Sequence, residues 1–204
     1  MIVRMRRRTG SLALPEGGTA GERLLYGMRV AAAGQCTPTI RFRMPRIDFN
    51  AIPDRARLWV FVADAPVADP APLLDAVDAH LAQWNAHGVP LVSSREFRDD
   101  RFLAIAVDEA ATGASGCSID GLFRTIGRVQ SQVGTDLLAS GRVAWRDASG
   151  GIRVSTRADF ETLAAQGAVT SHTRVYGTLA ETVGEWRTRF ETAASESWAR
   201  GLLP

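Results

Sequence analysis

The chain has 204 residues, 46% of them hydrophobic, and no apolar stretch approaches the roughly 18 residues that a membrane-spanning helix needs. All 24 basic residues are Arg, and the absence of Lys excludes P-loop and kinase phosphoryl transfer and Schiff-base chemistry, which depend on a lysine amine. The formal charge of +2 divides into +7 over residues 1–47 and −5 over residues 48–204.

Residues 1–50 form an Arg-rich segment with scattered Gly and Pro and no sustained hydrophobic period, a composition typical of disorder. Three interpretations of this segment are open. It is a basic tail that contacts anionic partners, an organellar presequence, or the product of a mis-assigned start, with the true start at Met44.

The folded part is expected to begin near residue 55, and the apolar run over residues 58–63 predicts a buried strand. Helical spacing over residues 73–87, closed by Gly88, predicts a first helix. Residues 91–97 and 102–107, separated by a charged turn, predict an antiparallel hairpin. A second helix, capped by Ser118 or Asp120, is expected to end near Gly134.

A strand over residues 142–146 completes the order strand, helix, strand, strand, helix, strand, which predicts an α+β protein with a ferredoxin-like βαββαβ core over residues 55–147. Residues 148–204 are expected to form a smaller extension, a β-hairpin and helices packed on that core. The capping-box spacings of Thr156 to Asp159 and Thr178 to Glu181 place two helix starts there. Trp198 is expected to dock onto the domain.

The candidate functional residues lie around the start of the second helix. In a βαββαβ arrangement the first helix ends at the sheet edge where the second begins, so His87 and Cys117 are expected to be neighbours. A Gly- and Ser-rich run there offers amide N–H groups that attract anions and stabilise a thiolate. The predicted ligand-binding residues at this edge are Trp84, Asp108, Glu109, Ser115, Gly116, Ser118 and Asp120.

Three roles are open for this run: a capped turn around a packed thiol, binding of an anion or small ligand, and nucleophilic catalysis by Cys117 with His87 as base. His80 and His172 are interpreted as ordinary surface histidines. There is no HExxH spacing and no paired Cys and His cluster, so neither a metal nor another cofactor is predicted. Two isolated cysteines fit a reducing compartment and favour a cytoplasmic location.

Several short segments between residues 58 and 198 carry a resemblance to a known group of proteins. They are Leu58-Trp59-Val60, Trp84-Asn-Ala-His87-Gly88, Arg101-Phe102, Val107-Asp108-Glu109, Ser115-Gly116-Cys117-Ser118-Ile119-Asp120, Trp145-Arg146-Asp147 and Ser197-Trp198. On these segments the chain resembles an uncharacterised bacterial protein family often labelled "ABC transporter ATPase". The resemblance implies no reaction and no catalytic residue, and it favours a start at Met44, because family members begin close to the first strand.

The ATPase label conflicts with the sequence, which has neither a Walker GxxxxGK[ST] motif nor the LSGGQ signature. The leading prediction is therefore a small-ligand or protein-binding module without ATPase activity. One alternative is a thiol-dependent enzyme in which Cys117 is the nucleophile and the Ser118 backbone N–H an oxyanion donor. Another is a structural partner in a larger complex, which an exposed apolar patch around Trp186 and Trp198 would favour.

The expected partner is thus an unidentified small molecule or protein. A membrane partner is not expected from this composition. Nucleic acid is expected only through the N-terminal basic segment, because residues 48–204 carry a net charge of −5.

Overall fold

The computed structural model of the chain describes residues 47–204. The proposed start at Met44, and all but the last four residues of the predicted disordered segment, lie outside the described residues. Organised structure begins before the expected residue 55, because Phe49–Ala51 forms a 3₁₀ turn in which the Asp48 side chain accepts a hydrogen bond from Asn50 N.

The described residues contain four α-helices and three sheets. In chain order these elements are β1 (Arg57–Val62), α1 (Ala71–Leu81), β2 (Asn85–Ala86), β3 (Val89–Pro90), β4 (Val92–Arg98), β5 (Phe102–Asp108), α2 (Gly116–Val129), β6 (Arg142–Arg146), β7 (Ile152–Thr156), α3 (Arg157–Ala165), β8 (Arg174–Tyr176), α4 (Val183–Arg189) and β9 (Glu191–Ala193).

The first sheet has the antiparallel order β1-β5-β4. Its central strand is buried on both faces, which explains why residues 102–107 are an unbroken apolar run. Because side chains alternate along a strand, Leu103 and Ile105 join the cluster formed with α1 and α2, and Phe102 and Ala104 join a second cluster on the opposite face. The helices therefore cover one face of this sheet.

The four-stranded sheet, called the second sheet below, has the order β7-β6-β8-β9 and covers the other face of the first sheet. The remaining sheet is the short β2–β3 hairpin. Ala144 and Tyr176 pack in the same cluster as Phe102. Their neighbours Val143 and Val175 point the other way, into a third cluster that α3 and the C-terminal 3₁₀ turns complete. The molecule is thus built in four layers: a helix pair, two sheets, and an outer layer of α3 with the C-terminal turns.

The α+β class is confirmed, whereas the ferredoxin-like core is not. The order β1-β5-β4 matches three strands of that fold, but β6, the expected fourth strand, pairs with β7 and β8 in the second sheet. The place beside β1 is taken by the segment before α4, where Glu181 O accepts a hydrogen bond from Leu58 N at 2.8 Å. The expected division at residues 147 and 148 falls in the turn between β6 and β7.

The bounds of three helices differ from the predictions, and one of them is the second helix, which ends at Val129 instead of near Gly134. The first helix ends at Leu81 instead of His87, and the chain then turns through the short β2–β3 hairpin, with His87 at φ 52° and Gly88 at φ 80°. Thr156 caps α3 as predicted, but the last helix begins at Val183, capped by Thr182, four residues after the predicted start. Trp198 docks as expected, since its Nε1 donates to Tyr176 O at 3.2 Å.

Candidate functional site

An open cleft of about 450 Å³ lies between the C-terminal half of α1 and one side of α2, from Cys117 to Arg128. This volume is within the range of about 300 to 1,000 Å³ typical of small-molecule sites. Its walls carry several polar groups and one large aromatic ring: His80, Trp84, Cys117, Ser118, Thr125 and Arg128.

Trp84 joins the two helices at this cleft. It follows the end of α1, its side chain is 4% exposed, and its indole Nε1 donates to Ser118 O at 2.9 Å. On its other side it packs against Trp59 of β1, with ring centroids 6.0 Å apart. The end of the first helix thus meets the start of the second, as the sequence-based hypothesis assumed.

The start of α2 is fixed by a local hydrogen-bond pair. The N-cap is Ser115, not Ser118 or Asp120: its side chain accepts from Ser118 N at 3.3 Å, and the Ser118 hydroxyl donates back to Ser115 O at 2.8 Å. This arrangement leaves Cys117 in the first helical turn with an exposed, free thiol. The thiol is therefore accessible from the cleft.

His80 is the histidine that shares the cleft with Cys117. Its Nδ1 lies 3.3 Å from Thr125 Oγ1, and its ring packs against Trp84 with centroids 5.5 Å apart. Its Nε2 is buried and has no hydrogen-bond partner among the described residues. Burial lowers the pKa of His80, and the positive charges of Arg128 and Arg124 lower it further, so the imidazole is neutral at pH 7.

Gly121 leaves the space in which this imidazole sits. A Cβ at position 121 would lie 3.2 Å from His80 Cε1, closer than ordinary van der Waals contact. Glycine costs helix stability in the middle of α2, so its presence here is explained by the close approach of the ring.

Only part of the predicted site lies in the cleft. Trp84, Cys117 and Ser118 line it, whereas His87 is exposed in the β2–β3 turn and is not among the lining residues. Asp108 and Glu109 are engaged elsewhere, in ion pairs of 3.2 Å with Arg55 and 3.6 Å with Arg57. Three other predicted residues are also outside the lining: the cap Ser115 and the exposed Gly116 and Asp120.

Sequence reasoning missed Thr125 and Arg128, and it interpreted His80 as an ordinary surface histidine, whereas His80 lines the cleft with its Nε2 buried. The signal that could have found them is helical spacing, because Cys117, Gly121 and Thr125 recur every four residues on one side of α2. His80 lies one turn from Ala76 on the facing side of α1. Two facing stripes of small and polar residues indicate a groove between helices.

Within residues 47–204, no group of three or more His, Cys, Asp or Glu side chains is placed to hold a metal ion. No helix in that range has the length and apolar character needed to cross a membrane. The chain matches no family model, no curated protein and no solved structure.

Proposed function

We propose that this protein binds a small ligand in the cleft between α1 and α2, in the cytoplasm and without ATPase activity. The observation that carries the proposal is His80 Nε2, a buried polar atom at the cleft without a partner in the described part of the chain. Leaving such a group unsatisfied costs about 1–3 kcal/mol, and a ligand with a matching group would remove that cost once the side chains that cover Nε2 move aside.

The shape and lining of the cleft favour a small molecule over a macromolecule. Small-ligand sites are concave, with an aromatic or apolar wall and a few convergent polar groups. Here Trp84 forms the wall, and His80, Ser118 and Thr125 supply polar groups from two different helices.

A thiol-dependent enzyme is the second candidate function, favoured by the fact that Cys117 and His80 line the same cleft. In this proposal His80 takes the place of His87 as the base. No hydrogen bond joins the Cys117 sulfur to an imidazole within residues 47–204, so the pair would have to form when substrate binds.

The rate at which iodoacetamide alkylates Cys117, measured in a Cys36→Ser background, should separate the two candidate functions. An alkylation rate about tenfold above that of free cysteine supports the enzyme, and an ordinary rate supports ligand binding.

A structural partner in a larger complex is the third candidate function, and it has less support among the described residues than the other two. Trp186 is fully buried and donates from its Nε1 to Glu96 Oε2 at 2.7 Å, and Trp198 is partly buried. Trp186 therefore contributes nothing to an exposed apolar patch, whereas Trp198 shares a surface groove with Leu179, which is 53% exposed. A contact with nucleic acid remains a proposal for the N-terminal basic segment alone.

We also propose that six elements are related to a ferredoxin-like fold. They are β1, α1, β4, β5, α2 and β6. The β1-β5-β4 order and the two helices on one face support it. In this proposal β6 corresponds to the fourth strand of that fold and has moved into the second sheet.

The ligand-binding proposal can be tested with a library of small polar metabolites that includes neutral, anionic and cationic compounds. NMR signals of the Trp84 indole N–H and the His80 ring report on the cleft from two sides. We expect at least one compound to shift both signals. Gly121→Leu, which places a side chain against His80, should abolish the shifts, whereas Gly116→Leu on the same helix has open space and should keep them. A library in which no compound moves either signal would contradict the proposal.

A further inference from the structure

We propose that the ligand of the α1–α2 cleft is a small hydroxylated oxyanion. Its carboxylate or phosphate group binds Arg124 and Arg128, and a neighbouring hydroxyl or amine group donates to His80 Nε2. This inference rests on the proposed function and names the chemical class of the ligand.

The first argument is an uncompensated pair of positive charges. Arg124 and Arg128 are both exposed and stand one turn apart on α2, a spacing at which like charges destabilise a helix. Neither forms an ion pair with a carboxylate within residues 47–204, although nine other arginines in that range do. An anion bound between the two guanidinium groups would supply the missing negative charge.

Arg128 lines the cleft, and Arg124 lies outside the lining but approaches it at Gly121. Arg128 Nη2 donates to Thr125 Oγ1 at 3.3 Å, which turns the guanidinium toward the floor of the cleft. Arg124 Nη2 lies 3.9 Å from the point where a Cβ would stand on Gly121, beside the imidazole. An oxyanion seated over Gly121 is therefore within reach of both side chains.

The second argument concerns which group His80 needs from a ligand. The Thr125 hydroxyl has one hydrogen, which it donates to Gly121 O at 3.0 Å. With that hydrogen committed to Gly121 O, the same oxygen can only accept, and its two remaining contacts are Arg128 Nη2, which donates to it, and His80 Nδ1, each at 3.3 Å. We therefore assign the His80 proton to Nδ1, and because the neutral ring has only one N–H, this assignment leaves Nε2 as an acceptor.

The two requirements together restrict the ligand. The arginines require a negatively charged acceptor, and His80 Nε2 requires a donor on the same molecule. A hydroxy acid or a sugar phosphate has both groups, an apolar acid has only the first, and a neutral polyol has only the second.

Three six-carbon compounds separate these requirements: gluconate carries both groups, hexanoate the charge alone and sorbitol the hydroxyls alone. Titration of the full chain, followed by the Trp84 indole and His80 ring signals, should show gluconate binding about tenfold more tightly than either of the others. Glucose 6-phosphate, titrated beside gluconate, shows whether phosphate or carboxylate is preferred.

Variants of the site and a charge-matched control complete the experiment. Arg124→Gln and Arg128→Gln should each weaken gluconate binding about tenfold, whereas Arg200→Gln removes the same charge from an exposed position near the C-terminus and should leave the affinity within about twofold. His80→Phe should reduce gluconate to the affinity of hexanoate.

Equal binding of hexanoate and gluconate would overturn the requirement for a donor, and equal binding of sorbitol would overturn the requirement for an anion. An equal loss in Arg200→Gln would show a nonspecific charge effect and also overturn the proposal. If none of these anions binds but neutral library compounds shift the cleft signals, the ligand class is wrong and the site stands. If no library compound does so, the proposed function fails as well.

Discussion

His80 is a titratable side chain whose environment disfavours its charged form. Burial, followed by the charges of Arg128 and Arg124, lowers the pKa of His80 below its ordinary value of about 6.5. As pH falls below about 6.5, the unfolded chain therefore takes up a proton that the folded protein resists. Stability should decrease in that window and be unaffected by this group above it.

We expect His80→Gln to remove part of this loss of stability. The loss of stability is the difference between the free energies of unfolding in urea at pH 7.5 and at pH 5.5. His172→Gln, which changes an exposed histidine, is the matched control and should leave the difference as it is in the natural protein. The same pH dependence in His80→Gln and in the natural protein would refute the expectation.

Tyr176 presents the opposite case, a buried group whose neutral form is favoured. Burial raises the pKa of Tyr176 to about 12, and the nearby Glu191 carboxylate acts in the same direction. An unfolded tyrosine ionises near pH 10, so stability should be lost as pH rises above about 10.

The Tyr176 hydroxyl has no hydrogen-bond partner among the described residues. We therefore expect Tyr176→Phe to keep the ring packing against Phe102 and to raise stability by up to about 1 kcal/mol. Spectrophotometric titration of the phenol and urea unfolding at neutral pH measure the two effects. Ionisation of Tyr176 near pH 10, or a loss of more than 1 kcal/mol in the variant, would count against this account.

At the residue scale, sequence reasoning predicted where the candidate cleft lies better than it predicted which residues line it. Trp84, Cys117 and Ser118 could be predicted because they follow from helix order and position. His80 was missed because helical spacing shows which residues share a face but not which face another helix covers. His87 was wrongly expected on the first helix, since the β2–β3 hairpin, not a longer helix, carries it.

At the element scale, capping boxes show how much context a local motif needs. Thr178 to Glu181 and Thr182 to Glu185 have the same spacing, but only the second starts a helix. The difference is in the apolar residues that follow: Val183 and Trp186 are fully buried, whereas Leu179 is 53% exposed. Of two capping boxes with the same spacing, the one followed by buried apolar residues starts the helix. The motif by itself does not show which residues will be buried.

Substitution of the two threonines should reveal this difference. Thr182→Ala removes the acceptor for Glu185 N and should cost about 1 kcal/mol. Thr178→Ala is the control and should cost much less, because its hydroxyl has no hydrogen-bond partner in the described range. Free energies of unfolding from urea titrations compare the two, and equal losses would contradict the assignment of the cap.

At the scale of the whole molecule, strands and the β4–β5 hairpin could be predicted, but partners distant in the sequence could not. Hydrophobic period marks residues 142–146 as a strand, yet nothing in that period distinguishes pairing with β1 from pairing with β7 and β8. The choice depends on distant segments. Glu181 occupies the edge of β1, and Tyr176 and Trp186 fill the space between the sheets.

This arrangement predicts that residues 47–147 do not fold by themselves, although the sequence suggested a core with nearly those bounds. In the intact protein Phe102, Ala104 and Ala106 are completely buried beneath Tyr176, Val183 and Trp186, all from the C-terminal part. A fragment ending at residue 147 would expose that face of β5 to water and leave β6 without β7 and β8.

We expect the fragment to bind a hydrophobic dye and to lack near-ultraviolet circular dichroism, whereas residues 47–204 should unfold in one cooperative transition by both far- and near-ultraviolet signals. A fragment carrying Phe102→Ser is a useful control, because it separates aggregation through the exposed face from a general failure to fold. A sharp thermal transition in the unmodified fragment would show that the first sheet and its helices are an independent domain, and that the second sheet was added to a fold already complete.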